Sequence, residues 1–172
     1  MLHSISRRWV MGVAAGMALA LAACATQPAT TPAPVNGVSF RMVETNGINL
    51  RVAEMGEGPL VVFVHGWPES WYSWRHQMPA IAAAGYKVIA PDMRGYGHSD
   101  NPAEVADYDI KHLTGDIVGL LDAYAAEKAI IIGHDWGAIV TWNSVLLHPD
   151  RFSAMIAMSV PNSGRGSAGP LA

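Results

Sequence analysis

The sequence predicts an α/β domain: a doubly wound, mostly parallel sheet with an antiparallel hairpin at one edge. Three observations predict it. Short apolar runs, Leu60 to Val64, Lys87 to Ala90 and Ala129 to Ile132, alternate with segments of helical periodicity. Two of these runs are apolar without interruption, as strands covered on both faces are. Ahead of them, two segments, the second alternating, flank Asn46-Gly47, the strongest short hairpin signal.

Taken in order, residues 1 to 24 read as an export signal. Arg7-Arg8 forms a positive region, and Trp9 to Ala20 is an apolar stretch. That stretch is too short to span a bilayer, which needs about 20 apolar residues. Leu21-Ala22-Ala23-Cys24 resembles a lipobox, with the chain's only cysteine at the position to be acylated. Ser6-Arg7-Arg8 also resembles a twin-arginine signal. The expectation is an exported, membrane-anchored lipoprotein on the periplasmic face, or a periplasmic protein. Residues 25 to 37, rich in Pro, Thr and Ala, read as a flexible tether. The domain is expected over 38 to 162, with an unstructured tail over 163 to 172.

Within the domain, Phe40 to Glu44 and Ile48 to Glu54 form the hairpin. Ile48, Leu50 and Val52 alternate with polar residues, giving one wet face. Leu60 to Val64 is a central strand that runs into His65-Gly66-Trp67-Pro68. Glu69 to Gln77 reads as a short helix, and Pro79 as the start of a second one that Gly85 ends. Lys87 to Ala90 is the next strand, followed by a glycine-rich turn from Pro91 to Asp100. Asp107 or Asp109 can cap the following helix, whose core face is Ile110, Leu113, Ile117, Leu120, Leu121 and Tyr124. Ala129 to Ile132 is a strand, Ala138 to Leu147 a helix, and Ala154 to Val160 the last strand.

Composition excludes several function classes. Lys and Arg number 11 against 14 acidic residues, so there is no basic footprint for nucleic acid. One cysteine excludes an intrachain disulfide framework. No His/Cys/Asp cluster has ligand spacing, and no phosphate loop or dinucleotide fingerprint is present. Neither a metal nor a cofactor is expected.

The chemistry centres on Gly133-His134-Asp135-Trp136-Gly137. A buried strand, a glycine-flanked turn and a helix make the setting of a nucleophile elbow. The central residue projects from a sharp turn, so small neighbours must let strand and helix approach. Here that residue is Asp135. A carboxylate needs no base to be nucleophilic at neutral pH, and its attack on carbon gives an ester. Taken alone, the pattern also fits a strand-end Asp that caps the next helix.

Three motifs in order resolve this. His65-Gly66-Trp67-Pro68-Glu69-Ser70-Trp71, Asp92-Met93-Arg94-Gly95-Tyr96-Gly97-His98-Ser99-Asp100 and Gly133-His134-Asp135-Trp136-Gly137-Ala138 resemble those of the α/β-hydrolase fold, and within it the epoxide hydrolases. The resemblance covers about residues 40 to 162, the amino-terminal half of that fold. It implies that Asp135 attacks an epoxide carbon of a small apolar substrate. It implies further that the backbone N–H groups of Trp67 and Trp136 hold the oxyanion formed when the ester is cleaved. Asp92, Arg94 and Gly95 would be structural, and His65 and Pro68 would shape the oxyanion loop.

In such enzymes a helical cap bearing proton-donating tyrosines follows, and then an acidic residue and a histidine that activates water. None of these is in the sequence. The five tyrosines, Tyr72, Tyr86, Tyr96, Tyr108 and Tyr124, do not fall where a cap would be. The expectation is therefore the amino-terminal part of a longer hydrolase, inactive by itself. A haloalkane or haloacid dehalogenase of the same fold is the alternative, with Trp136 suited to bind halide. A non-catalytic, membrane-anchored remnant is a second alternative. His134 is expected to be a packed neighbour, and His98 and His148 loop and helix-end residues. His65 and His76 have no partner evident from sequence, and Trp71 and Trp74 fit either a pocket or the core.

Overall fold

The computed structural model describes residues 37–162. The expected export signal with Cys24, the expected tether up to residue 36 and the expected tail from residue 163 lie outside the described residues. The strands are β1 (Ser39–Thr45), β2 (Ile48–Met55), β3 (Leu60–Val64), β4 (Lys87–Pro91), β5 (Ala129–His134) and β6 (Phe152–Met158). The helices are α1 (Gln77–Ala83), α2 (Ile110–Ala123) and α3 (Trp136–Leu147).

All six strands form one sheet in the order β1-β2-β4-β3-β5-β6. The first two are antiparallel to their neighbours, and the remaining four run parallel. The chain leaves β3 toward one side to form β4 and returns to its other side to form β5. That reversal opens a crevice at the carboxyl ends of the strands, where open α/β sheets bind ligands.

The hairpin closes at Thr45 and Ile48, with Asn46 at φ 48° and Gly47 at φ 77°. A two-residue type I′ turn requires both to be left-handed, which is why Asn-Gly stands here. The turn is pinned to α2, because Asn46 Nδ2 donates to the His112 carbonyl at 3.1 Å and to Asp116 Oδ1 at 2.9 Å.

Each face of the sheet buries its own core. Leu50, Val52, Val62, Val64, Ile89 and Ile131 pack with Ile117, Leu120 and Leu121 of α2 and Val140 of α3. On the opposite face Val61, Phe63, Val88 and Ile132 pack with Met78 of α1 and Trp74. Both central strands are therefore apolar at nearly every position, since each must supply two cores.

Several boundaries differ from the sequence reading. The segment after the β3 loop is not a helix from Glu69 to Gln77 but a 3₁₀ turn over Trp71–Trp74, capped by the Ser70 hydroxyl on the Tyr72 amide. Helix α1 starts at Gln77 rather than at Pro79, and Pro79 sits in its first turn, where a missing N–H costs nothing. Gly85 ends it with φ 88°. Strand β6 begins at Phe152, not Ala154, because Phe152 anchors it in the core, and it ends at Met158. Of the two possible caps of α2, Asp109 acts: its carboxylate accepts the His112 N–H at 2.8 Å.

Candidate active site

Asp135 stands between β5 and α3 with φ 54° and ψ −123°. That conformation is strained for a residue with a Cβ, and it persists because both flanks are held. Its N–H donates to the Met158 carbonyl at 3.2 Å, and its own carbonyl accepts the Ala138 N–H at 2.9 Å. The glycine spacing follows from close packing. A Cβ on Gly133 would strike the Gly137 carbonyl and the Thr141 hydroxyl. A Cβ on Gly137 would strike the Val64 carbonyl and lie 2.7 Å from that of His65.

The loop after β3 closes over the same point. The Trp67 N–H donates to Asp135 Oδ1 at 3.0 Å. Gly66 permits this approach, since a Cβ there would lie 2.7 Å from the Asp135 Cβ and 2.8 Å from Oδ1. The Trp67 N–H, then that of Trp136, and beside them His134, hold the Asp135 carboxyl below the usual aspartate range. Asp135, Trp67 and Trp136, far apart in sequence, are thus brought together.

His65 has partners the sequence did not disclose. Its Nε2 accepts the Met93 N–H at 2.9 Å, so Nδ1 carries the proton and donates to the Gly66 carbonyl at 2.8 Å. The ring is buried, and burial pushes its pKa down, so it is neutral. It ties the loop after β3 to the loop after β4. Glu69 closes the loop after β3 from the other side, Oε2 accepting the Gly66 N–H at 3.2 Å. Its Oε1 lies 3.8 Å from Nδ1 of His134, which is half-exposed beside Asp135.

In the loop after β4, Asp92 is buried and accepts the N–H groups of Trp71 at 3.0 Å and His98 at 3.3 Å. Arg94 forms a buried, two-pronged pair with Asp116 of α2, Nε to Oδ2 at 2.7 Å and Nη2 to Oδ1 at 2.6 Å. Its Nη1 donates to the Asp107 carbonyl at 2.7 Å. Asp116 was not singled out in the sequence, although a carboxylate beside Ile117 on the apolar face of a helix was the signal.

A cavity of about 430 Å³ opens against the loop after β3 and the first turn of α3. Its walls include Trp67, Trp136, Tyr96, Tyr108, Leu113 and Val140. Asp135 stands beside it, partly exposed, behind the two amides that face its carboxylate. Trp67 and Trp136 are 64 % and 57 % exposed, and so flank the mouth with bare indoles. Trp71 and Trp74 do not contribute. Trp74 is buried and stacked on Phe63 at 4.5 Å, and Trp71 packs edge-on against Phe40. Tyr96 and Tyr108 line this cavity from outside any cap, a placement the sequence reading missed.

His148 ends α3, its N–H on the Ser144 carbonyl at 2.9 Å, and His98 and His76 are exposed. Among the described residues no group of three His, Cys, Asp or Glu side chains could hold a metal ion. Likewise among them, no helix is long and apolar enough to cross a membrane.

Known proteins share this fold and much of this sequence. The alpha/beta hydrolase fold family matches residues 59–167. Epoxide hydrolase A of Mycobacterium tuberculosis is 56 % identical over 132 residues, covering 76 % of this chain and 41 % of that protein. Epoxide hydrolase B of the same organism is 58 % identical over 113 residues, covering 66 % and 32 %. The crystal structure of Epoxide Hydrolase A from Mycobacterium thermoresistibile superposes with a TM-score of 0.74 at 57 % identity, over 76 % of this chain and 41 % of that one. The chain therefore spans less than half the length of these relatives. With the elbow, the sheet order and the family match in agreement, the chain belongs to the α/β-hydrolase fold family.

Proposed function

We propose that this chain carries the nucleophilic part of an epoxide hydrolase, which opens an epoxide to a diol through an ester on Asp135. The observation that carries the reading is the hydrogen bond from the Trp67 N–H to Asp135 Oδ1 at 3.0 Å. With Oδ1 so held, Oδ2 is the oxygen that attacks carbon. Once the ester forms, Oδ1 is its carbonyl oxygen. It then already sits where the amides of Trp67 and Trp136 receive the negative charge of the tetrahedral intermediate. Loss of one such donor costs about two to three powers of ten in rate. The aromatic and aliphatic walls of the cavity suit a small apolar substrate.

Ester hydrolysis calls for a base that activates water. His65 is excluded, because both ring nitrogens are engaged. In this reading the loop after β3 and the elbow carry the reaction as far as the ester, and its hydrolysis needs a histidine other than His65. Cys24 would carry the lipid that holds the protein at the periplasmic face of a membrane. Incorporation of labelled fatty acid, lost in Cys24→Ser, tests that part.

A dehalogenase is the second reading, favoured by the exposed Trp136 indole directly after the nucleophile. The names of the similar proteins favour the epoxide. The two readings separate when the full chain is offered a terminal epoxide and a haloalkane of the same length. Faster formation of the Asp135 ester from the epoxide supports the proposal. Preferential reaction with the haloalkane, with halide released in equal amount, overturns it.

A further inference from the structure

We propose that Asn46-Gly47, the turn between β1 and β2, is a site of spontaneous deamidation, and that its conversion to a carboxylate unfastens the turn from α2. Both residues are exposed to water. Glycine has no side chain to shield its N–H, so the Gly47 nitrogen is open to attack the neighbouring amide. A Cβ built on Gly47 meets nothing within 4 Å, so the backbone there has room to move.

The amide that would be lost is committed to a buried network. Asn46 Nδ2 donates to the His112 carbonyl at 3.1 Å and to Asp116 Oδ1 at 2.9 Å. Two glycines let α2 come this close. A Cβ on Gly115 would lie 3.0 Å from Asn46 Nδ2, and one on Gly119 would strike the Thr45 hydroxyl. Asp116 is buried, and its countercharge is Arg94, which donates to both of its oxygens and lines the cavity. Asn46 gives the same carboxylate a neutral donor. The hairpin turn and the cavity wall therefore share one anchor.

The chemistry needs only water. The Gly47 nitrogen gives its proton to hydroxide and bonds to Asn46 Cγ. The Cγ–Nδ2 bond breaks, and ammonia leaves with a proton from water. Water then adds to one carbonyl of the five-membered succinimide and opens it, leaving aspartate or isoaspartate at position 46. Either product puts a carboxylate where Nδ2 donated. The His112 carbonyl and Asp116 Oδ1 then face an acceptor, and the buried Asp116 gains a like charge beside it. Isoaspartate also adds a methylene to the main chain, inside a two-residue turn that closes Thr45 against Ile48. The same two hydrogen bonds slow the reaction, because Nδ2 must let go of α2 before the ring can close. Conversion is thus gated by local opening of the turn.

The test incubates the full 172-residue chain in warm, mildly alkaline buffer, folded and in urea. Conversion at Asn46 is read by peptide mass spectrometry, with aspartate and isoaspartate separated by elution. The expected result is conversion in the folded chain, about 10- to 100-fold slower than in urea, the worth of two hydrogen bonds. The converted chain should unfold at a lower urea concentration than the unconverted one. Asn46→Asp should do the same, and its midpoint should fall below that of Asn46→Gly, which removes the amide without adding a charge. Conversion in urea alone overturns the site, and equal rates in both conditions overturn the gating by α2. A midpoint of Asn46→Asp at or above that of Asn46→Gly overturns the repulsion at Asp116. Should Asn46→Asp not fold, the midpoint of the converted wild type decides: one equal to that of the unconverted chain overturns the unfastening.

Discussion

The Trp67 N–H and the Asp135 carboxylate meet at 3.0 Å although 68 positions separate them in the chain. Two parallel strands, β3 and β5, run side by side and deliver their carboxyl ends to one point. The loop after one brings a donor, and the elbow after the other brings an acceptor under strain. Gly66 permits the approach, since a Cβ there would lie 2.7 Å from the Asp135 Cβ.

The same contact sets a pH dependence. The amides of Trp67 and Trp136 lower the Asp135 carboxyl from its ordinary 3.8. A lowered carboxylate stays ionised as pH falls, so the rate of ester formation should be flat from about pH 8 down to about pH 5. It should decline only below the ordinary aspartate range. A decline already near neutrality in a stopped-assay pH series would contradict this.

His65 predicts a stability effect of definite sign. Its folded pKa lies below the usual 6.5 because burial disfavours the charged ring. The unfolded chain therefore binds the extra proton first. Stability is complete above the unfolded value and is lost as pH falls through it toward the folded one. Urea midpoints should drop between about pH 6.5 and pH 5, and the drop should be shallower in His65→Gln.

The buried pair of Arg94 and Asp116 ties the wall of the cavity to α2. Removing one partner strands a charge out of water. Asp116→Asn should cost about 3–5 kcal/mol in urea unfolding. Replacing both with Met and Leu should cost less than the two single changes together.

Gly133 tests the elbow's packing. An added Cβ meets the Gly137 carbonyl and the Thr141 hydroxyl, and the backbone atom cannot swing aside. Gly133→Ala should destabilise the fold by about 1–3 kcal/mol. A thermal melt unchanged from wild type would mean that strand and helix are further apart than described.

How much of this was legible in the sequence depends on how local each feature is. The Asn46-Gly47 hairpin, the uniformly apolar β3 and the glycine-flanked Asp135 follow from a few consecutive residues, and they stand where the pattern put them. The Trp67–Asp135 contact was legible only through the resemblance of three motifs, because no local pattern pairs those residues. Features that depend on which side of the sheet a segment crosses were not legible. Trp71 and Trp74 could face either core or crevice, and the 3₁₀ turn aims both at the core. Tyr96 and Tyr108 lie on loop segments whose orientation comes from distant anchors, Asp92 through the His98 N–H and Arg94 through Asp116. Asp116 itself interrupts an apolar helix face, a sign that a buried cation must meet it.

The nucleophile is tested most directly by locating the covalent ester. The full chain is incubated with a terminal epoxide, quenched in acid and digested, and the adduct is mapped by tandem mass spectrometry. The account predicts one added epoxide on the peptide that contains Asp135, and none in Asp135→Asn. An unmodified Asp135, or an adduct that persists in the Asn variant, would contradict it.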